Sequence, residues 1–344
     1  MKPRILFFQA GDESWEWRNV YFAEGKPQRF LEALRSLGDV TVAPAGTPQE
    51  EALRLVREHE ILISYAAPVT DEALVKGLGR LRYICCLHGG VRGIVSAELL
   101  RGGLKVTNWG DSPGYGLAYL SMTLIMALLR DLPAQILEVR AKRWRLGSDC
   151  PCMDRVWGGQ PEGLRVGVYG LGFAGRAFLP MARGMGFVLS GYDPYASPWP
   201  DDVRRVTSLE ALFDGIDALV VCAAHTRETY KSVTRELLAR LPDGGLVINT
   251  ARGEILDQDA LFDELLKGRL RAGLDVLDPD QLDADHPVRQ LPNCILTCHV
   301  GPANRFNNPG FGRNERYALE NVRRFIAGEP LQWEIDEVRL SRMT

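Results

Sequence analysis

Of the five histidines in the sequence, His299 has the surroundings best suited to chemistry. It follows the apolar run "CILTC" and precedes Gly301 and Pro302. Arg252 closes a second run of this kind, in "VINTARGEILD", and the acidic segment "DVLDPD", residues 275–280, follows a third. Ligand sites in open parallel sheets form at the carboxyl ends of strands, so these three stretches are expected to converge. A guanidinium clamps a carboxylate through two parallel hydrogen bonds. An imidazole exchanges a proton with a hydroxyl or carbonyl near neutral pH, and a neighbouring carboxylate orients it. Beside a hydride carrier, these are the parts needed to interconvert a 2-keto acid and a 2-hydroxy acid.

A place for such a carrier is written upstream. "VGVYGLGFAGRAF" runs from an apolar strand into Gly170-Leu171-Gly172-Phe173-Ala174-Gly175 and then into a helical segment. Backbone N–H groups at that helix start can face a pyrophosphate. Asp193 ends the next strand, 18 residues after Gly175, near the spacing of a carboxylate that accepts from ribose hydroxyls. The same carboxylate repels a 2′-phosphate, which favours NAD over NADP. The competing reading is a glycine turn that only packs helix on strand, with Asp193 an ordinary residue before Pro194.

The elements that must position these residues alternate along the chain. "RILFFQA", "DVTVAPA", "EILISYA" and "RLRYICCL" read as strands, with helices such as "PQRFLEALRSLG", "PQEEALRLVREH" and "DEALVKGLG" between them. Residues 111–145 read as a long helical stretch broken or kinked at Pro133. A loop follows, and "LRVGVYG" opens a second alternating series that continues through "FVLSGYDPY", "ALVVCAAH", "GGLVINTARG", "LRAGLDVLD" and "CILTCHVGP". Alternation of this kind predicts α/β architecture: two Rossmann-like domains, each with a parallel sheet, and a cleft between them. Residues 1–107 with 302–344 are expected to form a discontinuous substrate-binding domain, and 108–301 the nucleotide-binding one.

Composition sets the limits. The 344 residues are enough for two domains, and 46% apolar content supports a substantial core. A net charge of −3 offers no footprint for nucleic acid or an anionic membrane, so a small-molecule ligand is expected. Seven cysteines without paired C-x-x-C knuckles argue for buried thiols rather than a zinc site. The start "MKPRILFF" reads as a first strand, and the apolar run over residues 117–129 is shorter than a membrane span. A cytoplasmic protein is the expectation.

Taken in order, "VGVYGLGFAG", "GYDPY", "GLVINTARGEILDQDAL", "AGLDV" and "HPVRQLPNCILTCHVGPAN" resemble the D-isomer-specific 2-hydroxyacid dehydrogenases. The similarity extends from "YICCLHGGV" to "FIAGEPL", about two-thirds of the chain. It implies an NAD-dependent enzyme in which Arg252 holds the substrate carboxylate, His299 is the acid/base and Asp280 its partner. It places Gly170, Gly172, Phe173, Ala174, Gly175, Asp193, Ala223, Thr250, Ala251, Asp275 and Gly301 along the cofactor, with Asp275 on the nicotinamide amide. Gly89 and Gly90 resemble the first domain's substrate loop, whose amides help to hold the carboxylate. A homodimer formed through the nucleotide domain and its flanking helix is also implied.

Several positions depart from the family pattern. The histidine's partner is usually Glu; here Asp280 is one methylene shorter, and Asp278 competes for the role. Trp109, Tyr115 and Tyr119 stand where relatives carry other residues, Ala224 and Cys298 replace prolines, and His88, Arg305 and Arg313 are further candidates to read substrate. Two rival readings therefore stand beside the reductase: a non-enzymatic NAD(H) sensor of the corepressor type, and a formate- or phosphite-type dehydrogenase. Formate-using relatives carry Gln as the histidine's partner, and none lies in register here.

Overall fold

In the computed structural model, residues 2–8, 26–44, 46–64, 68–91, 93–141, 161–301 and 313–341 are described. Cys150, Cys152, most of the loop expected after residue 146, and Arg305 lie outside them, as does the side chain of Arg313. The chain divides into two units, Met1–Ser112 with Ala303–Thr344, and Pro113–Pro302.

The first unit carries a five-stranded parallel sheet of order β2-β1-β3-β4-β5. Its strands are β1 (Arg4–Phe8), β2 (Asp39–Ala43), β3 (Ile61–Ser64), β4 (Tyr83–Cys86) and β5 (Lys105–Thr107). Their continuous apolar runs follow from burial on both faces. Side chains alternate across a strand, so Leu6, Phe8, Leu62 and Ile84 enter one core while Ile5, Phe7, Ile61, Ile63 and Tyr83 enter the other. The second core also takes Phe30 and Leu34 from the helix Lys26–Leu37, and Ala318 and Val322 from the helix Arg313–Ala327.

The second unit is a seven-stranded parallel sheet of order β12-β11-β10-β9-β6-β7-β8. Its strands are β6 (Arg165–Tyr169), β7 (Val188–Tyr192), β8 (Arg204–Arg205), β9 (Ala218–Val221), β10 (Leu246–Asn249), β11 (Arg271–Leu274) and β12 (Cys294–Leu296). The same alternation sends Val166, Val168, Val220 and Ile248 to one core and Tyr169, Leu219, Val221 and Val247 to the other.

The expected long helical stretch is two helices, Ser112–Leu129 and Leu132–Arg140. The break falls at Asp131, whose backbone is left-handed at φ 52°, and Pro133 sits in the first turn of the second helix, where its missing N–H costs nothing. The first helix starts ahead of the apolar run. At 18 residues it is long and apolar enough to cross a membrane by length and composition alone. Its Ala118, Leu124, Ile125 and Leu128 are instead buried with Val166, Phe178 and Val220. Below it, Arg271 donates to the Leu128 carbonyl and to Asp131 Oδ1, the latter at 3.1 Å, forming a buried ion pair.

Candidate active site

Strand register puts the chemistry in one row. Leu296 pairs with Leu274, Leu274 with Asn249, Asn249 with Val221, Val221 with Tyr169, and Tyr169 with Tyr192. These are the last residues of six strands. The segments carrying His299, Asp275, Arg252, Ala223, Gly170 and Asp193 therefore leave the sheet along the same carboxyl edge, where α/β sheets bind ligands.

At the β6 end the glycines are explained by contact. Gly170 has φ +94°, and a Cβ there would lie 2.5 Å from the Ala223 nitrogen. A Cβ on Gly175 would lie 2.2 Å from the Gly170 carbonyl oxygen, while the corresponding point on Gly172 faces open space. Gly172 caps the helix Phe173–Gly184, and the first amides of a helix, here on Phe173 and Ala174, have no intrahelical acceptor. Asp193 Oδ2 accepts from Leu171 N–H at 2.8 Å and Oδ1 from Tyr195 N–H at 2.8 Å. Each oxygen keeps a lone pair for a hydroxyl donor. An open cradle, a helix start and a fixed carboxylate fit a dinucleotide.

At the β10 end the side chain of Asn249 braces the turn. Its Nδ2 donates to the Arg252 carbonyl at 2.8 Å, and its Oδ1 accepts from Ala251 N–H at 3.0 Å. Thr250 shares a hydroxyl hydrogen bond of 2.9 Å with Ser121. Arg252 is exposed, and its guanidinium spends one hydrogen bond, Nη1 to the Ala251 carbonyl at 2.7 Å. Its remaining donors have no partner among the described residues.

The acid/base candidates meet directly. His299 Nδ1 lies 2.5 Å from Asp280 Oδ2, and Asp280 Oδ1 accepts from Leu277 N–H at 3.2 Å. A carboxylate only accepts, so Nδ1 carries the proton and Nε2 is left for proton exchange. Both side chains remain open to solvent, at 40% and 51% exposure. His299 is held at φ 54°, a left-handed backbone unusual for a residue with a Cβ and the kind of strain found at functional sites. Asp278 does not compete: its backbone is engaged by Gln258, and Asp280 is the carboxylate on the histidine.

Asp275 is buried at 2% exposure. Its Oδ1 accepts from the Thr297 hydroxyl at 2.6 Å and from Val300 N–H at 2.9 Å, and its Oδ2 from Gly301 N–H at 2.8 Å. A Cβ on Gly301 would lie 2.8 Å from Asp275 Oδ2, so glycine is required for this approach. Cys298 is exposed, against the expectation of buried thiols; Cys85, Cys86 and Cys294 are buried, and burial pushes the Cys294 thiol up to about 12.

In the first unit, a Cβ on Gly89 would lie 2.6 Å from the Trp109 indole nitrogen, so this indole packs on the loop itself. Asn108 Nδ2 donates to the Gly89 carbonyl at 2.9 Å, and Gly90 is exposed. His88 Nε2 is buried with no hydrogen-bond partner among the described residues, and burial holds the ring below its ordinary pKa. Tyr119 is a surface residue at 49% exposure. Sequence reasoning missed Asn249, Ser121, Thr297 and Gln258. Of these, only the asparagine two residues before "ARG" carried a signal, as a side chain able to bond its own turn.

Residues 122–301, more than half of the chain, match the family model described as "D-isomer specific 2-hydroxyacid dehydrogenase, NAD binding domain". A glyoxylate/hydroxypyruvate reductase of Arabidopsis thaliana is 30% identical over 272 residues, covering 78% of this chain and 80% of the relative. The TT0316 protein of Thermus thermophilus is 26% identical with a TM-score of 0.74, covering 96% of this chain and 99% of that one. The D-mandelate dehydrogenase of Rhodotorula graminis shares the fold, with a TM-score of 0.77 at 21% identity over 98% of each chain. The chain belongs to the D-isomer specific 2-hydroxyacid dehydrogenase family. It is an oxidoreductase of 2-hydroxy acids that works with a nicotinamide cofactor.

Proposed function

We propose that the protein works mainly as an NADH-dependent reductase of a small 2-keto acid, giving the D-2-hydroxy acid. The observation that carries this reading is the His299–Asp280 hydrogen bond of 2.5 Å with Nε2 left free, at the same sheet edge as the open guanidinium of Arg252. Arg252 holds the substrate carboxylate. Gly170, Gly172, Phe173, Ala174, Gly175, Asp193, Ala223, Thr250, Ala251, Asp275 and Gly301 would hold the nicotinamide cofactor, which would supply the hydride. His299, protonated on both ring nitrogens, then delivers the Nε2 proton to the carbonyl oxygen while Asp280 accepts from Nδ1 and keeps the ring oriented. Asp193 supports NAD over NADP, because its fixed carboxylate would face a 2′-phosphate.

We further propose a cytoplasmic homodimer. Leu132, Ile136 and Val139 leave 41–52% of their surfaces exposed along one helix, an apolar face suited to a second copy. Sedimentation equilibrium tests the dimer. NADH oxidation with glyoxylate, hydroxypyruvate, pyruvate, phenylpyruvate and 3-phosphohydroxypyruvate, with NADPH controls, tests the activity. A clear rate with one acid supports the reductase. Tight NADH binding without turnover of any acid points to the sensor. The carboxylate partner of His299, in place of the Gln of formate-using relatives, speaks against a formate enzyme.

A further inference from the structure

A carboxylate on one methylene reaches His299 only if its backbone is held close. The turn before Asp280 is fixed from two sides. Gly253, next to Arg252 in the chain, stands against the Leu277–Asp278 peptide: a Cβ there would lie 2.0 Å from the Leu277 carbonyl carbon and 2.6 Å from the Asp278 nitrogen. From another element, the Gln258 amide grips both backbone groups of Asp278. Its Oε1 accepts from Asp278 N–H and its Nε2 donates to the Asp278 carbonyl, each at 2.8 Å. Gln258 is the first residue of the helix Gln258–Leu266, whose cap Asp257 accepts from Ala260 N–H at 3.0 Å, so the grip is anchored in regular structure. A primary amide can donate and accept at one place, whereas a carboxylate only accepts and an ammonium only donates.

We propose that Gln258 is a positioning residue for the reduction: it fixes the turn over residues 277–281 so that the short Asp280 reaches His299. This inference rests on the acid/base role proposed for His299. Gln258 touches neither reacting partner and acts through Asp280.

The test uses the full chain carrying Gln258→Ala or Gln258→Glu, alone and combined with Asp280→Asn or Asp280→Glu. It reads kcat with the 2-keto acid that the wild type turns over, NADH affinity by fluorescence titration, and the His299 tautomer. The tautomer is read in cofactor-free protein in alkaline buffer, from imidazole nitrogen shifts through the carbon-bound ring protons. Gln258→Ala is expected to lower kcat about tenfold or more, the scale of a small misplacement of a reacting group. NADH affinity should hold, and His299 should move from the Nδ1–H tautomer toward a mixture. In the Asp280→Asn background the same substitution should add little, because both act through one contact. Asp280→Glu should restore part of the rate in Gln258→Ala, its longer side chain spanning the loosened turn. Gln258→Glu, which keeps the acceptor and loses the donor, should fall between and serves if the alanine variant does not fold. Equal losses with and without Asp280, or an unchanged tautomer, would overturn the proposal. Should His299→Ala keep full activity, the acid/base reading fails, and the tautomer measurement alone still decides whether Gln258 holds the pair.

Discussion

Asp275 and His299 share no side-chain hydrogen bond, yet the first holds the second in place. The buried carboxylate takes the Thr297 hydroxyl on one side of the histidine and the Val300 and Gly301 amides on the other. The left-handed backbone of His299 lies between these anchors.

Asp275→Asn keeps one oxygen and turns an NH2 toward a backbone N–H. The unpaired buried donor should cost about 1–3 kcal/mol locally. Turnover is expected to fall about tenfold as the histidine loses its fixed position. Hydrogen exchange over residues 297–301 should rise. Weaker NADH binding with unchanged exchange would show that Asp275 serves only the cofactor.

His299→Ala should lower kcat by roughly 100-fold or more, the usual contribution of general acid–base catalysis, and leave NADH affinity nearly unchanged. Arg252→Ala should chiefly raise KM for the 2-keto acid, with some loss in kcat. Steady-state kinetics on both variants checks the assignment, and wild-type rates in both would place the site elsewhere.

Much of this was legible beforehand because its signals are local. Short runs such as "RILFF" and "VGVY", ended by glycine or a turn residue, read as buried strands by their length and flanks, and glycines at 170 and 175 mark a tight turn. Asp193 and His299 follow from strand ends. Gln258 and Ser121 were hidden because their partners lie 20 and 129 residues away. Asp131 was hidden for the same reason: its carboxylate meets Arg271 140 residues on, and no local pattern announces a long-range ion pair.

That pair yields a stability prediction. Asp131→Asn keeps a residue that tolerates φ 52° while removing the charge opposite Arg271. Leaving the guanidinium buried without its carboxylate should cost about 3–5 kcal/mol, read as a lower urea midpoint for the transition of the second unit.

Acid sensitivity should be visible on the helix Arg313–Ala327. Arg323 and Arg324 bond Glu320 and pull its carboxyl from an ordinary 4.5 to about 2. The folded form thus holds this group ionised where the unfolded chain protonates it. The stability it contributes is complete above about pH 4.5 and is lost as pH falls toward about 2. Melting temperature against pH should therefore drop less steeply in Glu320→Gln over that window.

The bare Cα of Gly253 against the Leu277–Asp278 peptide has a consequence for how new specificities arise. The segment that carries Arg252 and the segment that carries Asp280 share one interface with no room for even a methyl group. A chimera that imports residues 250–256 from a relative without residues 275–281 would mismatch the two, so these segments should be inherited, and engineered, as one block.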